Sequence, residues 1–210
     1  MDVTILLFDR FTALDAVGPY EVLRNMPGAT VTFVAKTTGP IRTDSGALAI
    51  TADKAIADVG STDVLVVPGG PGQEDAMRDE EILAWIRAID TTTTWTTSVC
   101  TGSLVLAAAG LLTGLSATCH WAALERLREF DVTPTLERVV FEGKVVTAAG
   151  VSSGIDMGLR LVAKMAGDDV AQAIQLGIEY DPQPPFDSGS PTKAPAHLVE
   201  LLKAQSRHWK

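Results

Sequence analysis

The stretch Thr96-Thr-Ser-Val-Cys100-Thr-Gly-Ser-Leu-Val-Leu-Ala-Ala-Ala109 decides the fold, because an apolar strand pattern passes directly into a helical one. Cys100 occupies the turn between them. A sharp strand-to-helix turn lifts its side chain away from the sheet, as in the nucleophile elbow of other α/β enzymes. The helix start also favours a thiolate, through unpaired N–H groups and a partial positive charge. The pattern predicts a nucleophilic Cys100, and the alternative is a buried packing cysteine.

Other strand and helix patterns alternate along the chain. Apolar, β-branched runs that predict strands lie at Val3–Phe8, Thr30–Ala35, Asp63–Pro68, Trp95–Val99 and Lys144–Ala148. Helical patterns lie at Gly18–Asn25, Glu80–Ile89, Gly102–Ala109, His120–Phe130, Ile155–Ala166 and Asp168–Tyr180. This alternation predicts an α/β fold: a doubly wound, flavodoxin-like three-layer α/β/α sandwich with a mostly parallel sheet.

The chain of 210 residues, 46% of them hydrophobic, is long enough for one large domain spanning 1–210. A proline-rich segment, Asp181–Pro195, precedes a last predicted helix at about Ala196–Trp209. Because Phe186 lies among these prolines, we expect residues 181–210 to pack on the domain surface or at a dimer contact. A simple C-terminal arm is the alternative.

Composition and charge exclude several function classes. A net charge of -9 opposes nucleic-acid binding. The N-terminal apolar run is too short for a membrane span and lacks the basic start of a signal peptide, so we expect a cytoplasmic protein without membrane contact. Two cysteines and three histidines, with no Cys-x-x-Cys pair, imply no metal. The absence of a Gly-x-Gly-x-x-Gly or P-loop motif implies no phosphate-bearing cofactor.

A glycine-rich turn follows the third predicted strand, in Val64-Leu-Val-Val-Pro-Gly-Gly-Pro-Gly72. Glycines there allow the backbone to approach a ligand closely. The N–H of Gly70 and the N–H of Thr101 would together form a pair of donors for an anionic intermediate. The alternative is an ordinary Pro-Gly turn.

Two carboxylates and one histidine are candidate proton carriers. Asp15 lies just beyond the first strand, at the mouth of a predicted helix, where helix N-capping is its alternative role. Glu21, within that helix, is a weaker candidate. His120 would pair with Cys100 in a cysteine hydrolase, or it is a partly buried residue beside Trp121. Cys119 has no such surroundings, and we expect it to be a packing residue.

With these segments the chain resembles the ThiJ/PfpI superfamily, which is related to class I glutamine amidotransferases, and within it the isocyanide hydratase branch. The likeness includes Leu14-Asp15, the Pro68-Gly69-Gly70 turn and Val99-Cys100-Thr101-Gly102, and it extends through Gly154-Ile155-Asp156 to Pro184-Pro185-Phe186. The proteases of the superfamily carry a histidine directly after the elbow cysteine, whereas this chain has Thr101. Peptidase activity is therefore not expected.

The resemblance implies a cofactor-independent hydro-lyase that converts a small isocyanide and water to an N-substituted formamide. Cys100 would attack the isocyanide carbon to form a covalent thioimidate, and Asp15 would move the proton. Thr101 would hold the thiolate or the intermediate, while Gly70 and His120 would contact the substrate. Members of the superfamily are typically homodimers, so a homodimer is expected here.

Two alternative functions are compatible with the same domain. One is a thiol stress sensor or a glyoxalase-like enzyme with a reactive cysteine. The other is a ligand-sensing module related to AraC-like transcription regulators. Those regulators continue into a helix-turn-helix region, which is not present before Lys210.

Overall fold

The computed structural model describes residues 1–206 and is built on a mostly parallel sheet. Within this part of the chain the strands are β1 (Asp2–Leu6), β2 (Thr30–Ala35), β3 (Gly39–Arg42), β4 (Ala49–Ala52), β5 (Lys54–Ala55), β6 (Val64–Val67), β7 (Trp95–Val99), β8 (Ser116–Ala117), β9 (Thr133–Pro134), β10 (Val139–Glu142) and β11 (Val145–Ala148). The helices are α1 (Ala13–Leu23), α2 (Gln73–Ala76), α3 (Glu80–Asp90), α4 (Gly102–Ala108), α5 (Ser153–Ala166), α6 (Asp168–Gly177) and α7 (Ala196–Ser206). Segments of 3₁₀ helix span Ile56–Asp58 and Leu124–Phe130.

The main sheet of the described residues has the strand order β10-β11-β7-β6-β1-β2-β5. Its neighbouring strands are parallel except for β10 and β11, which are antiparallel. The chain leaves β1 toward β2 on one side and returns to β6 on the other, so the order reverses between β1 and β6. Ligands of doubly wound sheets bind at the carboxyl ends of strands around such a reversal. The predicted flavodoxin-like fold class is confirmed.

Burial explains why the strands are continuously apolar. Every residue of β6 and every residue of β11 is buried, as expected for parallel strands covered on both faces. Helix α1 packs against α5 and α5 against α6, while α4 contacts α2 and α3. The predicted bounds of β2 and β7 match the structure, and those of β1, β6 and β11 differ by one or two residues at an end.

Helix α1 begins five residues earlier than predicted. The sequence pattern predicted a start at Gly18, which would place Pro19 in the first turn, where its missing N–H is tolerated. The structure begins α1 at Ala13 and keeps Pro19 inside it. Packing against α5 outweighs the lost hydrogen bond: a Cβ on Gly154 would lie 3.0 Å from the Pro19 ring.

The predicted helix His120–Phe130 is wrong in type and extent. The segment begins with turns, and only Leu124–Phe130 is helical, in the 3₁₀ form. Leu124 and Leu127 are buried in it. A 3₁₀ helix has three residues per turn, so this spacing places both leucines on one face. The spacing is also compatible with an α-helix, which explains the error.

The hairpin of β3 and β4 was not predicted, since its strands are only partly buried and carry no continuous apolar run. The last predicted helix begins at Ala196 as expected and is described to Ser206, and its predicted remainder to Trp209 lies outside the described residues. Phe186 is 76% exposed, so this side chain is not packed on its own domain as predicted.

Candidate active site

The turn between β7 and α4 forms a nucleophile elbow at Cys100. Cys100 has φ +59°, a left-handed conformation that costs a non-glycine residue about 1–2 kcal/mol. Its N–H donates to the carbonyls of Ala148 and Ala149, at 3.1 and 2.8 Å. Gly102 makes the turn possible, because a Cβ there would lie 2.2 Å from the carbonyl oxygen of Val67. The elbow that the sequence predicted is therefore present.

Asp15 is fully buried in the first turn of α1, and it is not the N-cap, a position held by Thr12. Its Oδ2 accepts the N–H of Gly69 at 2.9 Å. Burial raises the pKa of Asp15 to about 7, and the Gly69 N–H and the Cys100 thiol limit the rise. Oδ1 has no partner of ordinary hydrogen-bond geometry among the described residues, so it is the oxygen available to the thiol proton.

The thiol of Cys100 is not stabilised as a thiolate in the way the sequence suggested. Cys100 is 5% exposed, and burial raises its pKa well above the ordinary value. The negative charge of Asp15 raises the pKa further, while the N–H groups of Val151 and Thr101 lower it. The partial charge of the helix start does not offset desolvation. The Cys100 thiol therefore keeps its proton at neutral pH and can share it with Asp15, whose ionised form is a ready acceptor beside it.

Gly70 does not provide the free donor that the sequence predicted. Its N–H donates to the Oγ1 of Thr101 at 3.0 Å, and its φ is +124°. A Cβ at Gly70 would lie 2.5 Å from the backbone nitrogen of Thr12, so only glycine fits. Because the Thr101 hydroxyl accepts this bond, its own proton is left to donate to a group in the cavity. Thr101 thus offers its backbone N–H to the sulfur and its hydroxyl to the cavity.

His120 and Cys100 make no hydrogen bond among the described residues. The Nδ1 of His120 accepts the N–H of Ala122 at 3.3 Å, so the ring proton belongs on Nε2. Burial lowers the pKa of His120, which keeps the ring neutral. The ring lies against Trp121 with centroids 5.7 Å apart. His120 is a neutral donor in the cavity wall, not the base of a Cys–His pair.

The structure places Glu21 outside the cavity and Cys119 within electrostatic range of Cys100 and Asp15. Glu21 forms an ion pair with Arg24 at 2.9 Å and does not line the cavity. Cys119 is 1% exposed, and burial raises its pKa to about 12. Cys119 is thus an inert packing residue, as the sequence predicted.

A cavity of about 910 Å³ opens over Cys100. Its lining in the described part of the chain comprises Thr12, Asp44, Ser45, Gly70, Pro71, Gln73, Glu74, Cys100, Thr101, His120, Trp121, Ala122, Ala123, Glu125, Arg126, Val151 and Lys203. The lining combines apolar side chains, such as Trp121 and Val151, with charged ones, such as Asp44 and Arg126. The volume accommodates a small organic molecule.

Sequence reasoning missed several polar residues of this wall. Gln73 and Glu74 directly follow the glycine-rich turn at the end of β6, and that position is a usable signal for site residues. Asp44 and Arg126 come from the β3–β4 hairpin and the 3₁₀ segment. The hairpin was not predicted and the 3₁₀ segment was predicted as part of a longer helix, so no local signal identified Asp44 or Arg126 as a cavity residue. Within residues 1–206 no group of three or more His, Cys, Asp or Glu residues is arranged to hold a metal ion.

A buried cysteine on a left-handed strand-to-helix turn, sharing a proton with a buried aspartate, defines a thiol site on a flavodoxin-like fold. The model of the DJ-1/PfpI family matches residues 1–164, and the chain belongs to this family. The resemblance to the ThiJ/PfpI superfamily is confirmed.

Individual proteins are also similar to this chain in sequence or in structure. The chain is 42% identical to the isonitrile hydratase of Pseudomonas putida, over 98% of this chain and 90% of that protein. The crystal structure of a ThiJ/PfpI family protein from Pseudomonas syringae superimposes with a TM-score of 0.96 at 38% identity, covering 99% of this chain and 86% of that one. The transcriptional regulator CdhR of Pseudomonas aeruginosa is 32% identical over 63% of this chain, but the match covers 40% of the regulator.

Among the described residues no helix is long and apolar enough to cross a membrane.

Proposed function

We propose that this protein is an isocyanide hydratase, which converts R–N≡C and water to the formamide R–NH–CHO. The observation that carries the proposal is the 42% identity to an isonitrile hydratase over nearly the whole of both chains. The pairing of Cys100 with Asp15 supports it, because the reaction needs a soft nucleophile and a proton carrier at one carbon atom. The regulator match covers less than half of its protein and carries less weight.

The first half of the reaction adds the Cys100 thiol to the isocyanide carbon. The sulfur attacks this carbon while the thiol proton passes to Asp15. The resulting carbanion-like carbon then takes the proton back from Asp15, giving the thioimidate R–N=CH–S–Cys. A carboxyl group with a pKa of about 7 is suited to both transfers near neutral pH, since neither protonation state is strongly favoured.

The second half hydrates the thioimidate. Asp15, again ionised, takes a proton from water as the water oxygen bonds to the thioimidate carbon, and it passes that proton to the nitrogen. The C–S bond of the adduct R–NH–CH(OH)–S–Cys then breaks, sulfur leaves with the electron pair, and the hydroxyl proton is returned to it. The Thr101 backbone N–H, which lowers the pKa of Cys100, stabilises charge on sulfur in each half, and the Thr101 hydroxyl is left to donate to the intermediate in the cavity.

The lining of the cavity supports roles for further residues toward the rest of the substrate. Trp121, Ala122 and Val151 offer an apolar surface to the substituent R. Neutral His120 provides a single ring N–H to the substrate. The Gly70 N–H acts indirectly, by fixing the Thr101 hydroxyl.

The experiment that tests this function is hydration of cyclohexyl isocyanide by the purified protein, with the formamide followed by NMR. We expect turnover by the wild type and none above background by Cys100→Ala. Asp15→Asn should reduce kcat by about 100-fold or more, because the proton carrier is lost. Cys119→Ala is the matched control for loss of a buried thiol and should retain turnover. Absence of formamide from the wild type, or full activity of Cys100→Ala, would contradict the proposal.

The assembly and location belong to the same proposal. A homodimer is supported by the exposed apolar side chains of the C-terminal segment, taken up in the Discussion. A cytoplasmic location suits an enzyme with two unpaired cysteines. The raised pKa of Cys100 gives no support to a peroxide-sensing thiol, which requires thiolate character.

A further inference from the structure

Gln73 is a buried polar residue of the cavity wall to which the steps above give no role. It begins α2, directly after the glycine-rich turn, and is 5% exposed. Its Nε2 donates to the Oε1 of Glu74 at 2.7 Å. Its own Oε1 has no hydrogen-bond partner among the described residues and is shielded from bulk solvent.

The neighbours of Gln73 fix which end of its amide faces which way. Glu74 forms an ion pair with Arg126 and lies 3.6 Å from Arg78. Burial alone would raise the pKa of Glu74, but hydrogen bonds from Arg126 and Gln73 bring it below its ordinary value. Glu74 is therefore a carboxylate, which only accepts hydrogen bonds. Only the Nε2 end of Gln73 suits that contact, so the Oε1 end is left without a donor.

An unpaired amide oxygen in a buried position destabilises the folded protein. A methionine or leucine would fill the same space without that cost. Gln73 also belongs to the wall of the cavity that contains Cys100 and Thr101. A buried acceptor without a donor, in the wall of a substrate cavity, is suited to a donor that arrives with the reactants.

We propose that the Oε1 of Gln73 accepts a hydrogen bond during the hydration half of the reaction, first from the attacking water and then from the tetrahedral adduct. This inference rests on the proposed isocyanide hydratase function. An isocyanide has no N–H or O–H group, and neither does the thioimidate R–N=CH–S–Cys. Water and the adduct R–NH–CH(OH)–S–Cys are the species of the reaction that carry the hydrogens this acceptor needs. Gln73 therefore acts after thiol addition and not during it.

Thiol addition and hydration of the thioimidate can be measured separately. The protein is mixed rapidly with cyclohexyl isocyanide and quenched with acid, and the adduct on Cys100 is followed by intact-mass measurement. The variant Gln73→Met keeps the length of the side chain and removes the acceptor. We expect it to form the thioimidate at the wild-type rate and to hydrate it about tenfold more slowly, the effect of one lost hydrogen bond. The adduct should accumulate in the variant and kcat should fall. Gln175→Met, on the exposed face of α6, is the matched control and should behave as the wild type.

A second variant keeps the test decisive if Gln73→Met does not fold. In Glu74→Gln the new amide can donate to Gln73 Oε1, so the acceptor is occupied and the same hydration defect is expected. Circular dichroism checks the fold of each variant. Equal slowing of both halves, or unchanged hydration in the folded variants, would overturn the role of Gln73. A wild type that forms neither adduct nor formamide would overturn the proposed function as well, so the two failures are distinguishable.

Discussion

At the scale of single residues, the coupling of Asp15 and Cys100 determines the chemistry of the site. Both groups are buried, and burial raises the pKa of each. The charge of Asp15 raises the pKa of Cys100 further, while the hydrogen bond from the thiol limits the rise at Asp15. Removing both protons would place two negative charges together in a site of low polarity, which is strongly disfavoured. The pair therefore retains at least one proton around neutral pH, and ionised Asp15 serves as the base for the thiol.

The raised pKa of Asp15 has a consequence for stability. In the unfolded chain this carboxyl ionises near 3.8, whereas in the folded protein it ionises near 7. Between these values the folded state binds the proton more tightly, so the free energy of unfolding falls as pH rises through this window. The loss is complete above about pH 7 and amounts to about 4 kcal/mol at most. It is the energetic cost of keeping a buried carboxylate beside the thiol.

We expect Asp15→Asn to remove this pH dependence, because asparagine does not titrate and still accepts the Gly69 N–H. Urea unfolding of the wild type and of the variant, at several pH values between 4 and 8, measures the pH dependence of the free energy of unfolding. The free energy of unfolding of the variant minus that of the wild type should increase as pH rises. Other carboxyls, such as Asp79 with its lowered pKa, contribute equally to both proteins and cancel in the difference. Parallel curves would contradict the assignment.

At the scale of elements, the elbow between β7 and α4 depends on close contact with the end of β6. The Cβ position of Gly102 lies 2.2 Å from the Val67 carbonyl oxygen and 2.8 Å from that of Pro68. Both oxygens belong to backbone, so a side chain is accommodated only if the elbow moves away from the sheet. Such a movement would displace Cys100 relative to Asp15 as well.

Gly102→Ala should therefore destabilise the protein by about 1–3 kcal/mol, the usual cost of overpacking a filled interior, and should lower turnover. The matched control is Gly177→Ala at the end of α6, where a Cβ meets nothing within 4 Å. That change should be neutral or stabilising, because alanine favours a helix. Thermal unfolding and formamide assays of both variants measure these effects. A Gly102→Ala protein as stable as the wild type would contradict the packing argument.

The elements that the sequence predicts well are those whose own residues determine them. The strands β2 and β7 and the elbow at Cys100 follow from local apolar runs and turn residues. Their order also predicts that Asp15, the glycine turn and Cys100 meet at one sheet edge. The helix start of α1 and the 3₁₀ segment depend on packing partners distant in the chain, and were predicted wrongly. The raised pKa of Cys100 and the use of the Gly70 N–H depend on three-dimensional burial, which the sequence does not state.

At the scale of the whole molecule, the C-terminal segment leaves several large apolar side chains exposed on the surface of its own domain. Helix α7 has eleven residues, a length at which an isolated helix is marginal in water. Its side chains Leu198, Leu201 and Leu202 are exposed. Phe186, which precedes the helix, has a larger exposed fraction than any of the three. Several exposed large apolar groups in one segment indicate a protein contact surface. A second copy of the chain is the partner that the proposed homodimer supplies.

Sedimentation equilibrium should therefore give twice the mass of the chain, and Phe186→Asp should weaken the dimer, since a charge replaces a buried aromatic ring at the contact. Leu136→Asp, at an exposed leucine outside the segment, is the matched control and should leave the dimer intact. Because Lys203 of α7 also lines the cavity, the Phe186→Asp monomer should bind substrate less well, seen as a higher KM. A wild type that is monomeric throughout, or a dimer indifferent to Phe186→Asp, would show that this segment has another role.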